Sequence, residues 1–310
     1  AGADYVKFQT FKAEKLASDR AHKARYQLVQ SDEDDSQLKM LRSLELNAAA
    51  HIELIAYCRE KGIGFLSSAF DEESVDLLDQ LGVPFFKVPS GEITNKPYLQ
   101  HIAGKGKPVI MSTGMAFMSE IKDAIKVLTD SGLKREAITI LHCNTEYPTP
   151  MQDVNLKAMV AIRDELGVSV GYSDHTLGIE IPIAAVSLGA KVIEKHFTTD
   201  RSLPGPDHIA SLEPGELKAM VSAIRNLELA MEGNGIKEPS PSEINNIKAA
   251  RKSIHINQDL PAGTVIKTEH LIMKRPGIGI SPMDIDDVIG KTLLVDLGID
   301  SLLLWEHLKD

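Results

Sequence analysis

Short apolar runs alternate with polar loops and amphipathic segments along most of the chain, from Tyr5 to about Glu232. Runs of this length bounded by turn residues are typical of strands, whereas apolar positions spaced three and four apart are typical of helices. We predict strands at 5–9, 64–68, 85–88, 109–112, 138–143, 169–172 and 192–196. Helices are predicted between them, among others at 47–61, 73–81, 118–131, 156–166, 182–188 and 214–231.

Strictly alternating strands and helices indicate an α/β fold with a parallel sheet. Polar residues that could take part in catalysis or ligand binding follow nearly every predicted strand. A (β/α)8 TIM barrel places its active site at those strand ends. Since such a barrel needs eight strands and seven are recognised, we expect its first strand and helix to be missing from this chain. An open doubly wound sheet is the alternative.

The pattern changes after the last long helix. Residues 233–242 have the composition of a linker, rich in glycine, proline and serine. Beyond it, short β-rich pieces around 253–256 and 293–295 are separated by turns. We therefore predict a catalytic barrel at 1–232, a linker at 233–250 and a small β-rich domain at 251–310. The polar segment 11–46 is predicted to be a long loop with some helix, of a kind that is often functional.

Composition narrows the function classes. The 310 residues are 43% hydrophobic and 25% charged, as expected of a folded soluble domain. No apolar run is long enough to span a bilayer, and a net charge of −10 argues against nucleic-acid or acidic-surface partners. The two cysteines, Cys58 and Cys143, cannot form a disulfide framework, which favours a cytoplasmic protein.

Two histidines are the candidate metal ligands. His175 and His196 follow neighbouring predicted strands, so their imidazoles are expected at the same edge of the sheet. Two protein ligands would leave positions for water and substrate, as a Lewis-acid site requires. Two hydrogen-bonded structural histidines remain the alternative from spacing alone.

Lysines, serines and carboxylates accompany them at the strand ends. Lysine charge and serine hydroxyls suit a phosphate or carboxylate ligand, although a single serine in such a place is more often a helix cap. Glu194 and Asp207 are candidates for proton transfer or for binding sugar hydroxyls. A stiff turn at 204–208 is predicted to hold Asp207 over the strand ends.

Seven segments, taken in order and spacing, closely resemble the bacterial sialic acid synthase family, which includes N-acetylneuraminate and N,N'-diacetyllegionaminate synthases. They are VKFQTF at 6–11, KVPSGE at 87–92, MSTGM at 111–115, LHCNTEYPTP at 141–150, YSDHT at 172–176, EKHFT at 194–198 and PGPDH at 204–208. Residues 252–305 resemble the antifreeze-like (SAF) domain of those enzymes, through KRPGIGISP at 274–282.

The resemblance implies a (β/α)8 barrel that condenses phosphoenolpyruvate with an open-chain N-acylated mannosamine-type sugar, using Mn²⁺ or Mg²⁺. His175 and His196 match the metal ligands. The matching phosphoenolpyruvate contacts are Lys7, Ser68, Lys87, Ser90, Ser112 and Ser173. The residues that match the sugar site are Gln9, Tyr147, Glu194, Asp207 and Arg275, with either Asn144 or Thr145.

The expected activity is therefore formation of a nonulosonic acid and phosphate from phosphoenolpyruvate, the sugar and water. Glu194, Lys7 and Lys87 are the expected catalytic residues, with Glu194 transferring protons and the lysines stabilising the phosphate. The resemblance also implies a domain-swapped homodimer in which Arg275 acts across subunits. Either N-acetylmannosamine or a 2,4-diacetamido-trideoxy hexose fits as the sugar.

Two rival functions are open. In a Schiff-base class I aldolase, Lys7, Lys87 or Lys195 would form a covalent imine. In a non-catalytic carbohydrate-binding or ice-binding protein, the barrel would be a scaffold for the C-terminal domain.

Overall fold

The computed structural model describes residues 1–18, 21, 37–205 and 207–310. The chain divides into two compact units, Ala1–Glu232 and Gly233–Asp310.

The first unit is built on one parallel sheet of seven strands. Their order in the sheet is their order in the chain, and every neighbouring pair is parallel. The strands are β1 (Tyr5–Thr10), β2 (Gly64–Ala69), β3 (Phe86–Val88), β4 (Val109–Ser112), β5 (Ile138–Cys143), β6 (Ser169–Asp174) and β7 (Ile193–Lys195).

Helices connect these strands. They are α1 (Ala13–Leu16), α2 (Gln37–Leu44), α3 (Ala48–Lys61), α4 (Glu72–Gln80), α5 (Lys96–Ala103), α6 (Met118–Asp130), α7 (Leu156–Leu166), α8 (Glu180–Ser187) and α9 (Pro214–Met231). Side-chain caps fix where several begin: Asn47 accepts the amide of Ala50 at α3, and Asp71 accepts the amide of Ser74 at α4. No helix in the described part of the chain is long and apolar enough to cross a membrane.

Alternation along the strands separates the core from the interior polar side chains. In β3, Phe86 and Val88 are buried in the main hydrophobic cluster together with helix residues such as Leu78 and Ile102. Lys87, between them, points to the opposite face because successive side chains of a strand alternate. The same alternation gives β3 one apolar face towards the helices and one face towards the barrel interior.

A buried polar chain ties α3 to the first two strands. The Nδ1 of His51 donates to the carbonyl oxygen of Asn47 (2.8 Å), so its Nε2 must accept from the hydroxyl of Thr10 (2.7 Å). Since the hydrogen of Thr10 is used there, its oxygen accepts from Ser67 (2.7 Å). Thr10, His51 and Ser67 are all buried, and the chain satisfies their polar atoms.

The second unit is small and irregular. It contains the helices α10 (Ile244–Ala250) and α11 (Ile285–Val288) and the strands β8 (Ser253–Ile256), β9 (Leu271–Lys274), β10 (Thr292–Leu293) and β11 (Leu308–Lys309). The pairs β8–β9 and β10–β11 are antiparallel. Ile254, Ile256 and Leu303 lie at the centre of its own hydrophobic cluster, and Arg275 directly follows β9.

The sequence pattern predicted this architecture. All seven barrel strands begin and end within two residues of the predicted bounds, and the TIM-barrel interpretation is confirmed. A doubly wound sheet would reverse its strand order at a switch point, and this sheet does not. Of the predicted loop 11–46, residues 19–20 and 22–36 lie outside the described residues, while the rest includes α1 and α2. Pro206 of the predicted turn 204–208 is likewise outside them.

Candidate active site

Two lysines and two serines meet on the interior face of the curled sheet, near the carboxyl ends of β1 to β4. The carboxyl-end edge of the sheet is the mouth of the barrel. Lys87 donates to the hydroxyl of Ser112 at 2.7 Å, and Lys7 lies 3.4 Å from the hydroxyl of Ser68. Neighbouring strands place them there, because Ser68 is the register partner of Lys87 in the β2–β3 pair. All four were predicted to bind phosphoenolpyruvate.

Glu194 of β7 faces both lysines. Its carboxylate lies 3.3 Å from the Nζ of Lys7 and 3.6 Å from that of Lys87, and it accepts a 2.7 Å hydrogen bond from Ser173. Lys7 belongs to the first strand and Glu194 to the seventh. The sheet therefore curls until its two end strands present side chains to the same interior.

Burial and neighbouring charges both act on the pKa values of Lys87 and Glu194. Burial lowers the pKa of Lys87, and Glu194 partly opposes that effect. Burial acts to raise the pKa of Glu194, but the charges of Lys7 and Lys87 outweigh it and hold the pKa well below its ordinary value. Glu194 is thus a carboxylate, and this one carboxylate faces two lysine side chains. Such a site suits an anion with several oxygens.

The two predicted metal ligands lie together at the mouth. The ring centres of His175 and His196 are 5.2 Å apart, and the ring of Tyr147 packs 4.0 Å from that of His175. The Nδ1 of His175 lies 2.5 Å from the carbonyl oxygen of Asn144. Because a carbonyl can only accept, Nδ1 carries the hydrogen and Nε2 keeps a free lone pair.

Both imidazoles are in the form that binds metals. Burial lowers the pKa of His175, and burial with the neighbouring His175 lowers the pKa of His196 to about 3. Neutral imidazole is the ligand that divalent metals need. Among the described residues, no group of three or more His, Cys, Asp or Glu side chains could hold a metal. At this place the described residues thus offer two neutral imidazoles as nitrogen donors.

An ion pair lies between the Glu194 and histidine positions. Lys195 donates to the carboxylate of Asp174 at 2.6 Å, and the side chains are 1% and 0% exposed. Asp174 also accepts from the backbone amide and the hydroxyl of Thr176. This pair was missed by the sequence reasoning. Its signal was the constant offset of 21 residues that relates Ser173 to Glu194, Asp174 to Lys195 and His175 to His196.

The remaining predicted residues around the mouth are less tightly clustered. The hydroxyl of Ser90 accepts from the amide of Gly114, which Thr145 also approaches. The side-chain oxygen of Asn144 accepts from the amide of Glu146 in its own loop.

The other two sugar-site candidates of this unit are Gln9 and Asp207. Gln9 has an exposed side chain two residues beyond Lys7 on β1. Asp207 lies 3.7 Å from the Nδ1 of His196, and burial raises its pKa. Arg275 belongs to the second unit.

Cys143 is a further group beside the histidines. Its sulfur lies 3.8 Å from the Nδ1 of His175, and burial raises the pKa of the thiol. A buried, protonated thiol is a poor nucleophile, in keeping with the structural role predicted for it.

Comparison with known families gives two matches that together cover most of the chain. A family model described as NeuB family matches residues 1–237, and one described as SAF domain matches residues 251–309.

Individual proteins are similar over nearly the whole chain. The N,N'-diacetyllegionaminic acid synthase of Campylobacter jejuni is 52% identical over 97% of this chain and 90% of its own length. The enzyme of the same name from Legionella pneumophila is 48% identical, covering 99% and 87%. A crystal structure of the sialic acid synthetase of Leptospira borgpetersenii in complex with citrate has a TM-score of 0.68 at 32% identity, covering 79% of this chain and 80% of that one.

Proposed function

From the premise that this chain belongs to the NeuB family and carries a SAF domain, we propose that its sugar substrate is a 2,4-diacetamido-trideoxy hexose. The protein is a nonulosonic acid synthase that condenses phosphoenolpyruvate with an N-acylated amino sugar. The two relatives that are about half identical to it are both named for the diacetyllegionaminic product, which supports this sugar over N-acetylmannosamine.

The observation that supports the phosphoenolpyruvate assignment is the pair of lysines around one carboxylate at the mouth. Lys7 and Lys87, with the hydroxyls of Ser68 and Ser112, form a set of donors on four consecutive strands. A phosphate and a carboxylate on one small molecule can share these donors, with each lysine supplying a charge-assisted hydrogen bond. Ser90, which follows β3, and Ser173 of β6 extend the set.

Bond formation in this reaction needs the substrates to be aligned. C3 of phosphoenolpyruvate attacks the aldehyde carbon of the open-chain sugar, a C–C bond forms, and C2 becomes electron-poor. Water then adds to C2, and the tetrahedral intermediate expels phosphate as the C–O bond breaks. Holding phosphoenolpyruvate by both anionic ends fixes C3 against the aldehyde, which lowers the entropic part of the barrier.

Glu194 is the group we assign to proton transfer. The support is that its carboxylate contacts both lysines, so a phosphoenolpyruvate held by those lysines would have its C2 beside Glu194. There it accepts a proton from the water that adds to C2, and this proton balances the one taken up by the former aldehyde oxygen as it becomes a hydroxyl. The lysines stabilise the negative charge on the departing phosphate.

A divalent cation, Mn²⁺ or Mg²⁺, is the cofactor we assign to His175 and His196. The support is the free lone pair on the Nε2 of His175, the neutral form of both rings and their separation of 5.2 Å. When bound, the cation would polarise the aldehyde oxygen of the sugar as a Lewis acid. Tyr147 packs against the ring of His175 and limits its rotation.

The rival functions have less support. Lys195 is buried and paired with Asp174, so it offers no free amine for an imine. An inert carbohydrate-binding scaffold gives no reason for two lysines and a carboxylate in a largely buried cluster.

We further propose a homodimer in the cytoplasm. The segment 233–242 can let the second unit reach a partner, so that Arg275 would donate to the N-acyl oxygen of a sugar in the partner's barrel. Two buried, unpaired cysteines suit a reducing compartment.

Phosphate release from phosphoenolpyruvate tests these assignments. The assay compares the 2,4-diacetamido-trideoxy hexose with N-acetylmannosamine, each with added Mn²⁺ and with a chelator. We expect the higher kcat/KM with the diacetamido sugar and no release in chelator. A preference for N-acetylmannosamine would contradict the sugar assignment, and phosphate release in chelator would contradict the metal assignment.

A further inference from the structure

Three pairs of residues face each other across β6 and β7, and the middle one has no part in the reaction described above. Ser173 pairs in register with Glu194, and Asp174 with Lys195. His175 and His196 follow one residue later. Alternation places Ser173, Glu194 and the histidines at the interior and mouth, whereas Asp174 and Lys195 point into the wall of the barrel.

The Asp174–Lys195 pair is completely enclosed. Its side chains are 0% and 1% exposed, and each makes more than one polar contact. Asp174 accepts from Lys195 at 2.6 Å and from the amide of Thr176 at 3.0 Å. Lys195 also donates to the carbonyl oxygen of Thr176.

These contacts hold the backbone on both sides of His175. Asp174 precedes His175, Thr176 follows it, and Lys195 immediately precedes His196. One ion pair thus joins the three residues that flank the two imidazoles. If one strand end moved relative to the other, the pair would break and leave a charge buried without a partner.

Stability alone does not explain such a pair. Desolvation of two buried charges offsets much of their attraction, and replacing such a pair with uncharged side chains of similar size is often neutral for folding. Groups that do not touch the metal but fix the orientation of its ligands, in contrast, strongly affect metal affinity.

We propose that Asp174 and Lys195 are positioning residues that set the separation and tilt of the imidazoles of His175 and His196, and thereby the affinity for a divalent cation. The inference rests on the proposed metal site. It assigns no contact with substrate to either residue.

The test measures Mn²⁺ affinity and phosphoenolpyruvate affinity separately. The variants are Lys195→Met, Asp174→Asn and the double variant that carries both changes. Free Mn²⁺ is followed by electron paramagnetic resonance during titration, and phosphoenolpyruvate binding is measured by calorimetry without metal. Lys122→Met is the matched control, because it removes a lysine from an exposed ion pair with Glu165 on the outer helices.

We expect the Mn²⁺ dissociation constant to rise about 10- to 100-fold in the variants, while phosphoenolpyruvate affinity changes little. The control should match the wild type in both. The double variant decides the matter if a single variant fails to fold, since it buries no unpaired charge. Circular dichroism and thermal unfolding confirm that it is folded.

A folded double variant with wild-type Mn²⁺ affinity would overturn the inference. So would an equal loss of both affinities, or a double variant that does not fold, because either result makes the pair a general stability element. Turnover of the wild type is assayed in parallel. If the wild type is active and the variants bind Mn²⁺ as tightly as the wild type does, this inference alone is refuted. If the variants selectively lose Mn²⁺ affinity but the wild type shows no turnover, the proposed function alone is refuted. A wild type that binds no Mn²⁺ removes the metal site and this inference together.

Discussion

Lys87 offers a direct measure of the charge at the mouth. The Lys87→Met variant keeps most of the length of the side chain and removes its charge. Lys87 is 3% exposed and contacts Ser112 and Glu194, so no solvent-exposed group can take its place. A hydrogen bond to a charged group is worth about 1.5–3 kcal/mol, which predicts a KM for phosphoenolpyruvate about 10 to 150 times higher.

Steady-state kinetics can isolate this effect. Phosphoenolpyruvate is varied at saturating sugar, and the sugar is then varied at saturating phosphoenolpyruvate. The KM for the sugar should change little, since Lys87 contacts Ser112 and Glu194 rather than the histidines. Lys122→Met serves as the control for loss of a lysine, because its ion pair is on the outer surface. An unchanged KM for phosphoenolpyruvate in folded Lys87→Met would refute the assignment of this lysine to the substrate anion.

Three other outcomes test the site and the fold. His175→Ala and His196→Ala should each abolish high-affinity Mn²⁺ binding and turnover, because no group of three or more potential ligands occurs in the described part of the chain to replace a lost imidazole. Full turnover of metal-free protein would contradict this. Mixing Arg275→Ala subunits with His175→Ala subunits should restore one working site per hybrid dimer, and no recovery after confirmed subunit exchange would exclude action across the dimer. Thr10→Val should lower the free energy of unfolding, measured in urea, by at least about 2 kcal/mol, since His51 and Ser67 both lose their buried partner. Thr129→Val is the control, because the hydroxyl of Thr129 donates only to carbonyl oxygens of its own helix. Equal losses of stability in the two variants would contradict the reasoning.

Periodicity predicted the barrel because each strand has one face for helices and one for the interior. It also predicted which side chains share the mouth, since Ser173 and His175 are two residues apart, as are Glu194 and His196. The structure brings these four residues together.

Other contacts could not be predicted because they depend on distances between strands. The sequence placed Lys7 and Glu194 at strand ends, but their 3.3 Å contact depends on the curl of the whole sheet. Lys195 was one of three candidate imine lysines, and only its pairing with Asp174 shows that it points into the wall. The irregular second unit has little hydrophobic periodicity, so its β8–β9 and β10–β11 pairings could not be deduced.

The contact between Lys7 and Glu194 links the two end strands of the sheet, and this couples substrate occupancy to the thermodynamics of folding. An anion that binds Lys7 and Lys87 binds only the curled sheet, because in the unfolded chain these lysines are far apart. Phosphoenolpyruvate at 100 times its dissociation constant would then add about 2.7 kcal/mol to the free energy of unfolding. The resistance of this enzyme to heat and proteases would therefore follow the concentration of phosphoenolpyruvate around it.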